Sequence, residues 1–133
     1  MNDKARVVDT DVASFVFKGD SRAALYRPEL EGYHLLLSFQ TIAELWQWAE
    51  ISRWGDRRCR QLENFLDIFT AVYSSSELCL SWSQVMVDTR RNGQPILCGD
   101  AWIAATACHF DVPLVSHNAG DYRGISNLRL ITK

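Results

Sequence analysis

Short apolar runs alternate along this chain with longer stretches in which apolar side chains recur every three to four residues. RVVD, Arg6 to Asp9, reads as a short buried strand that ends in an acid. Asp11 to Phe17 follows as a helical turn with Asp11 at its N-cap. Ser21 to Leu30 reads as a second short helix closing near Gly32, with Pro28 in its last turn. HLLLS, His34 to Ser38, is a second strand. Gln40 to Trp54 carries Ile42, Leu45, Trp46 and Ala49 at helical spacing and breaks at Gly55-Asp56. Asp56 to Thr70 repeats that pattern with Leu62, Phe65, Leu66 and Phe69. Ala71 to Ser74 predicts a third strand. The serines Ser74 to Ser76 then cap a helix of about 17 residues that stops at Asn92-Gly93. Pro95 and Gly99 bracket the entry to a helix over Asp100–Phe110, apolar all round and therefore expected to be buried. VPLVS, Val112 to Ser116, is a fourth strand, and Leu128 to Ile131 a fifth.

Strands that alternate with helices predict an α/β domain: a mainly parallel sheet covered by helices on both faces. In such a sheet the loops after the strands gather at one rim, where open α/β folds keep their chemistry. Asp9 stands at that rim. No linker, repeat or low-complexity segment interrupts the pattern, so residues 1–133 read as one domain.

Composition narrows the field. Of 133 residues, 47% are hydrophobic and 23% charged, enough apolar material for a sizeable core. The net charge of −2 gives no global attraction to nucleic acid or membrane, so contact with a polyanion needs a local basic patch. Cys59, Cys79, Cys98 and Cys108 form no C-x-x-C pair, and His34, His109 and His117 complete no zinc pattern. They read as reduced core or boundary thiols, which suits a cytoplasmic protein. No apolar run is long enough to span a membrane, and MNDKARVVD has no signal-peptide pattern.

The chemistry turns on which acids meet Asp9. Glu44 lies on the first turns of the helix after the second strand, Asp100 heads the buried helix, and Asp121 lies in the SHNAGDYRGI loop after the fourth strand. Each has an ordinary explanation alone: a first-turn glutamate favouring the helix dipole, an N-cap, a turn carboxylate. Together they sit at strand ends or the starts of following helices. Converging carboxylates repel and raise each other's pKa, and a divalent cation is the usual compensation. Asp11 reads as a cap or a supporting acid.

VVDTDVAS, TIAELW, GQPILCGDAWIAATA and VPLVSHNAGDYRGISNLRLI, in that order and spacing, resemble the PIN-domain nucleases, and among them the VapC-type toxins of prokaryotic toxin–antitoxin pairs. The resemblance spans nearly the whole chain. It implies a three-layer α/β/α sandwich with about five mainly parallel strands, and a metal-dependent endoribonuclease. It implies Asp9, Glu44, Asp100 and Asp121 as the acidic cluster holding Mg²⁺ or Mn²⁺; the expectation here is that Asp9 and Asp100 bind the main ion and that Glu44 and Asp121 complete the set directly or through water. It also implies an RNA substrate, a VapB-like antitoxin partner and a homodimer. Two features depart from the family pattern: Asp11 stands where Asn is more usual, and Trp46, Trp48 and Trp54 crowd the segment after Glu44.

Thr10, Ser116 and Asn118 are expected to orient water or phosphate at the cluster, or to serve as turn and cap residues. Arg53, Arg57, Arg58 and Arg60, and the pair Arg90 and Arg91, are solvated helix surface, phosphate contacts or a partner surface. Trp46 and Trp48 point to different helix faces; Trp48 either lines a groove or packs on the next helix. His117 is a poor ligand for a hard ion. Two other families fail on partners: DTDV echoes the haloacid-dehalogenase-like phosphatases, and the length suits a receiver domain, but both need a late lysine, and the lysines are Lys4, Lys18 and Lys133. A catalytically silent PIN-like binding module is the alternative of a different class.

Overall fold

Five strands pair in parallel throughout, in the order β3-β2-β1-β4-β5. The computed structural model describes residues 4–133; Met1 to Asp3, the start of the MNDKARVVD stretch, lie outside the described residues. The elements run β1 (Ala5–Val8), α1 (Thr10–Lys18), α2 (Ala23–Leu30), β2 (His34–Ser38), α3 (Phe39–Ile51), α4 (Asp56–Leu66), β3 (Thr70–Val72), α5 (Ser76–Arg91), α6 (Cys98–Phe110), β4 (Leu114–Val115), a 3₁₀ turn (Ala119–Tyr122) and β5 (Leu130–Ile131). This is the α/β sandwich expected, with every pairing parallel.

Strand side chains alternate between the two faces, as a pleat of period two requires. Val7, Leu36 and Leu114 face one core, completed by Leu78 and Val85 of α5 and Ile103, Ala104 and Ala107 of α6. Val8, Leu37 and Val115 face the other, with Val12 and Phe15 of α1, Tyr26 of α2, Leu45 and Ala49 of α3 and Leu62 of α4. Both faces being covered explains why β2 is an apolar run with no alternation. The small residues Ala101, Ala104, Ala105 and Ala107 let α6 lie buried on almost all sides.

From β1 the chain adds strands outward on one side, then crosses to place β4 on the other, so a crevice opens between the ends of β1 and β4. Asp9 leaves β1 there, its N–H donating to the Val115 carbonyl at 2.9 Å. Ser116 leaves β4 beside it.

Several boundaries differ from expectation. Asp9, not Asp11, caps α1: its backbone is extended and its carboxylate accepts from the Thr10 N–H. Asp11 lies inside the first turn. Asp100 does not cap α6 either; the cap is Leu97, and Asp100 is the third helical residue. The helix expected to reach Thr70 stops at Leu66, because Ile68 and Phe69 donate to carbonyls three residues back in a tightening turn into β3. The four thiols are free, but Cys79 and Cys98 are exposed rather than packed in core or boundary. Cys79 follows buried Leu78 on the outer side of α5, and Cys98 opens α6 before its buried stripe begins at Ala101. Trp48 packs edge-on to Trp54 at 4.7 Å and to Phe17 at 6.2 Å between ring centroids, so it closes the seam between α1, α3 and α4 instead of lining an open groove. Among the described residues, no helix is long and apolar enough to cross a membrane.

Gly124 locks the loop after the 3₁₀ turn onto the end of α5. A Cβ there would fall 2.7 Å from the Gln94 carbonyl oxygen and 3.0 Å from the Thr89 Cα, both backbone atoms that cannot swing away. Gly124→Ala is therefore expected to destabilise the fold by about 1–3 kcal/mol, the usual cost of overpacking. Urea denaturation measures it, and a loss under about 0.5 kcal/mol, the scatter of innocuous surface changes, would refute the close packing.

Candidate active site

Asp9 is the centre of the rim. It is buried, at 6% exposure, yet carries a carboxylate, and three donors are aimed at it. The Thr10 N–H reaches Oδ1 at 2.7 Å, and Oδ2 accepts from the Ser116 hydroxyl at 2.7 Å and the Tyr122 hydroxyl at 2.8 Å. Burial nonetheless pushes its pKa above the ordinary value; the three hydrogen bonds oppose that push and the Glu44 charge adds to it.

Glu44 reaches the rim from α3 and is half-buried. The Thr10 hydroxyl donates to Oε1 at 2.6 Å, and the Gln40 amide donates to Oε2 at 3.2 Å. Thr41, fully buried, places its hydroxyl 3.0 Å from that of Thr10. Gln40 can lie where it does because Gly99 faces it; a Cβ at Gly99 would sit 2.8 Å from the Gln40 amide nitrogen.

Asp100 comes from the first turn of α6. Burial, then the charges of Asp9, Asp121 and Glu44, raise its pKa to about 6. Asp11 is raised to about 7, first by burial and then by Asp9, although the Val12 and His117 N–H groups donate to it at 2.6 and 3.1 Å. Asp121 is exposed in the 3₁₀ turn, and its charge acts on both Asp11 and Asp100. The four acids singled out from sequence thus meet in one electrostatic neighbourhood, with Asp11 beside them.

Of the three supporting residues expected, Thr10 and Ser116 hold acids directly. Asn118 is exposed and acts through its backbone, its N–H donating to the Ser116 hydroxyl at 3.0 Å and its carbonyl accepting from the Asp121 N–H at 3.1 Å. His117 turns its ring away: Nδ1 is 2.5 Å from the Tyr26 hydroxyl. At the basic α3–α4 junction Arg53, Arg57, Arg58 and Arg60 are all exposed, and Arg58 also lies over the Trp54 and Phe17 rings.

Sequence reading missed Gln40, Thr41 and Tyr122. The first two stand four and three residues before Glu44, the spacing at which helical side chains meet, so a signal existed. Tyr122 had none, because its hydrogen bond reaches across 113 residues to Asp9. Burial and the Asp9 charge hold the Tyr122 phenol far above its usual pKa, which keeps it a donor. Tyr122→Phe is expected to cost about 1–3 kcal/mol of stability, the range for removing a partner from a buried charged acceptor. It should also move the Asp9 titration further upward in a carboxyl NMR titration; an unmoved midpoint would show that the hydroxyl does not serve Asp9.

The donor set is carboxylate and hydroxyl oxygen, and among the described residues no imidazole or thiolate joins it. Such a set fits Mg²⁺ or Mn²⁺ and not zinc. Among the described residues, no group of three His, Cys, Asp or Glu side chains already stands close enough to hold an ion by itself. Magnesium keeps several waters and takes one or two carboxylates, so a cage is not required. A cavity of about 670 Å³ lies elsewhere: it is an apolar groove between α1, α2 and α4 lined by Val16, Ala24, Leu30, Phe65 and Ile68.

The PIN domain family model matches residues 6–125. "Ribonuclease VapC1" of Haemophilus influenzae strain R2866 is 26% identical over 125 residues, covering 92% of this chain and 93% of that protein. The "tRNA(fMet)-specific endonuclease VapC" of Shigella flexneri is 23% identical over 123 residues, with 92% and 93% covered. Among solved structures, DNA-bound VapBC from Salmonella typhimurium superposes with a TM-score of 0.84 at 22% identity, covering 96% of this chain and 97% of that one. VapBC2 from Rickettsia felis, bound to a promoter DNA fragment, superposes at 0.82 and 19% identity, covering 96% and 98%. With the family model spanning all but the two ends of the chain, the protein belongs to the PIN-domain family, among whose members it resembles the VapC-type toxins.

Proposed function

We propose that the protein is a metal-dependent endoribonuclease, the toxin of a type II toxin–antitoxin pair, working in the cytoplasm as one domain of residues 1–133. The observation that carries the reading is the meeting of Asp9, Glu44, Asp100 and Asp121 from separate elements at one rim, where Asp100 feels the charge of the other three. Carboxylates that raise one another's pKa are costly unless a cation joins them. The names of the Haemophilus and Shigella relatives support RNA as the substrate.

In this reading Asp9 and Asp100 hold the main Mg²⁺ or Mn²⁺, and Glu44 and Asp121 complete the set directly or through water. A divalent ion bound there would polarise a phosphate oxygen and lower the pKa of a bound water. The chain's own part is orientation. Ser116, Tyr122 and the Thr10 N–H fix both oxygens of Asp9. Thr10 and Gln40 fix Glu44. Locking the rotamers of such acids is worth roughly 10–100-fold in metal affinity or activity. Asp11, tied by two backbone N–H groups, adds negative charge beside the ion without being free to leave its place.

VapBC structures from Salmonella, Rickettsia and Haemophilus support a VapB-like antitoxin as partner. The groove between α1, α2 and α4 offers it an apolar surface, with Ile68 70% exposed at its edge. A homodimer belongs to the same reading.

The test uses antitoxin-free protein with labelled tRNA, other structured RNA and single-stranded DNA, in Mg²⁺, Mn²⁺ or EDTA. RNA cleavage that needs metal is the expected result. No cleavage, with calorimetry registering no metal binding, would sink the mechanism and leave a silent PIN-like binding module.

A further inference from the structure

An acidic pocket must still receive a polyanion. Bound metal offsets part of the repulsion, but the phosphates flanking the reacting one need a cation of their own. We propose that Arg22, latched to Asp20 and stacked on Phe15, grips a backbone phosphate of the RNA beside the acidic site. The inference rests on the ribonuclease reading above.

The geometry of Arg22 is that of a cation held ready. Its Nε donates to Asp20 Oδ1 at 2.9 Å and its Nη2 to Oδ2 at 2.8 Å, a two-point fork. Its backbone N–H donates to the same Asp20 oxygen at 2.9 Å, so carboxylate and guanidinium share one rigid turn between α1 and α2. The guanidinium carbon stands 4.0 Å from the centre of the Phe15 ring. Two sides of the group are thereby held, while the side chain stays 47% exposed and, among the described residues, its hydrogen bonds run from the backbone N–H, Nε and Nη2 and not from Nη1. An arginine restrained in this way loses little freedom on taking a phosphate, and with Nε and Nη2 held by Asp20 the exposed Nη1 edge is the one that can donate to it.

Its position links it to the acids. Phe15 lies one helical turn after Asp11 on α1, so the two share a face. The Phe15 ring meets the edge of His117 at 5.3 Å, and the His117 N–H donates to Asp11 Oδ2 at 3.1 Å. Arg22 therefore flanks the pocket on its Asp11 side, close enough for the Asp11 charge to act on it. The other stacked arginines are placed otherwise. Arg6 is spent on Glu29 with its side chain only 12% exposed, and Arg58 lies on Phe17 and Trp54. As a purely structural device the Arg22–Asp20 pair contributes little, since solvent screens an ion pair at the surface.

The experiment measures binding of fluorescent tRNA to Asp100→Asn protein from 50 to 300 mM KCl, alone and with Arg22→Gln or Arg22→Lys added. Arg22→Gln is expected to raise Kd about tenfold and to reduce the slope of log Kd against log salt by about 0.7–0.9, the signature of one lost phosphate contact. Arg22→Lys keeps the charge and should keep the slope while weakening Kd about threefold. In the otherwise native enzyme, Arg22→Gln should raise KM and leave kcat within about twofold, because the contact serves binding before and during reaction alike. Unchanged Kd and slope would overturn the proposal, as would an Arg22→Lys slope that falls as far as that of Arg22→Gln, which marks a structural effect. Wild-type protein that neither cleaves nor retains RNA overturns the ribonuclease reading and this proposal together; cleavage indifferent to Arg22→Gln overturns this one alone.

Discussion

Asp100→Asn should abolish metal-dependent RNA cleavage and, in the same protein, raise the melting temperature in EDTA. The two signs come from one cause. Asp100 sits half-buried against the charges of Asp9, Asp121 and Glu44, which with burial lift its pKa to about 6. At pH 7.5 it is ionised all the same, so the metal-free fold carries its repulsion. Asparagine keeps the shape and removes the charge. Relief of about 1 kcal/mol would raise the melting temperature of a domain this size by roughly 3–5 °C. With saturating Mg²⁺ the order reverses, because the native protein gains binding energy that the variant lacks. The loss of activity is far larger. If the ion supplies about 4 kcal/mol of charge stabilisation, a site that no longer holds it is slower by about 10³-fold. A variant that cleaves within tenfold of native, or that melts lower than native in EDTA, would contradict the placement of Asp100 on the ion. Merely damaging the fold would lower both quantities, so the opposite signs separate the two explanations.

How far this could be read from sequence depends on the range of the interaction. The sheet was legible because strand and helix patterns are local: HLLLS and VPLVS are buried on both faces and look it. The four acids were legible because each occupies a strand end or the start of the next helix, and the parallel order brings such ends to one rim. What failed was chemistry that local pattern does not encode. Asp11 looks like the better cap, but Asp9 takes that place since its carboxylate can answer Thr10, Ser116 and Tyr122 at once. Tyr122 looks like a loop aromatic until the chain returns it to β1. Cys79 looks apolar in ELCLSW, yet α5 turns it to solvent. Trp48 had two readings at the level of periodicity, and only the position of Trp54 after the α3–α4 turn chooses between them.

The second large effect is on stability against pH. Metal-free protein should become less stable as pH rises from 5 to 8, against the habit of most domains. The direction follows from the acids of the rim. Asp11 titrates near 7 and Asp100 near 6 in the folded protein, and Asp9 is also raised, whereas the ordinary value is 3.8. Between 3.8 and these folded values the folded state binds more protons than the unfolded one, so unfolding free energy falls with rising pH. The stabilisation is complete below the ordinary value and gone once pH passes about 7. Asp20 and Glu29 behave oppositely, held low first by hydrogen bonds from Arg22 and Arg6, but their contribution is nearly complete at pH 5 and does not mask the trend. Discounted for partial exposure, the fall from pH 5 to 8 should be on the order of 2 kcal/mol. Urea denaturation in EDTA measures it. The double variant Asp11→Asn, Asp100→Asn should flatten the curve, and saturating Mg²⁺ should do so in the native chain, because the ion replaces protons as the partner of these carboxylates. A native curve that is flat or rising in EDTA would mean that the acids do not repel one another in solution, and the case for a cation at this rim would lose its physical basis.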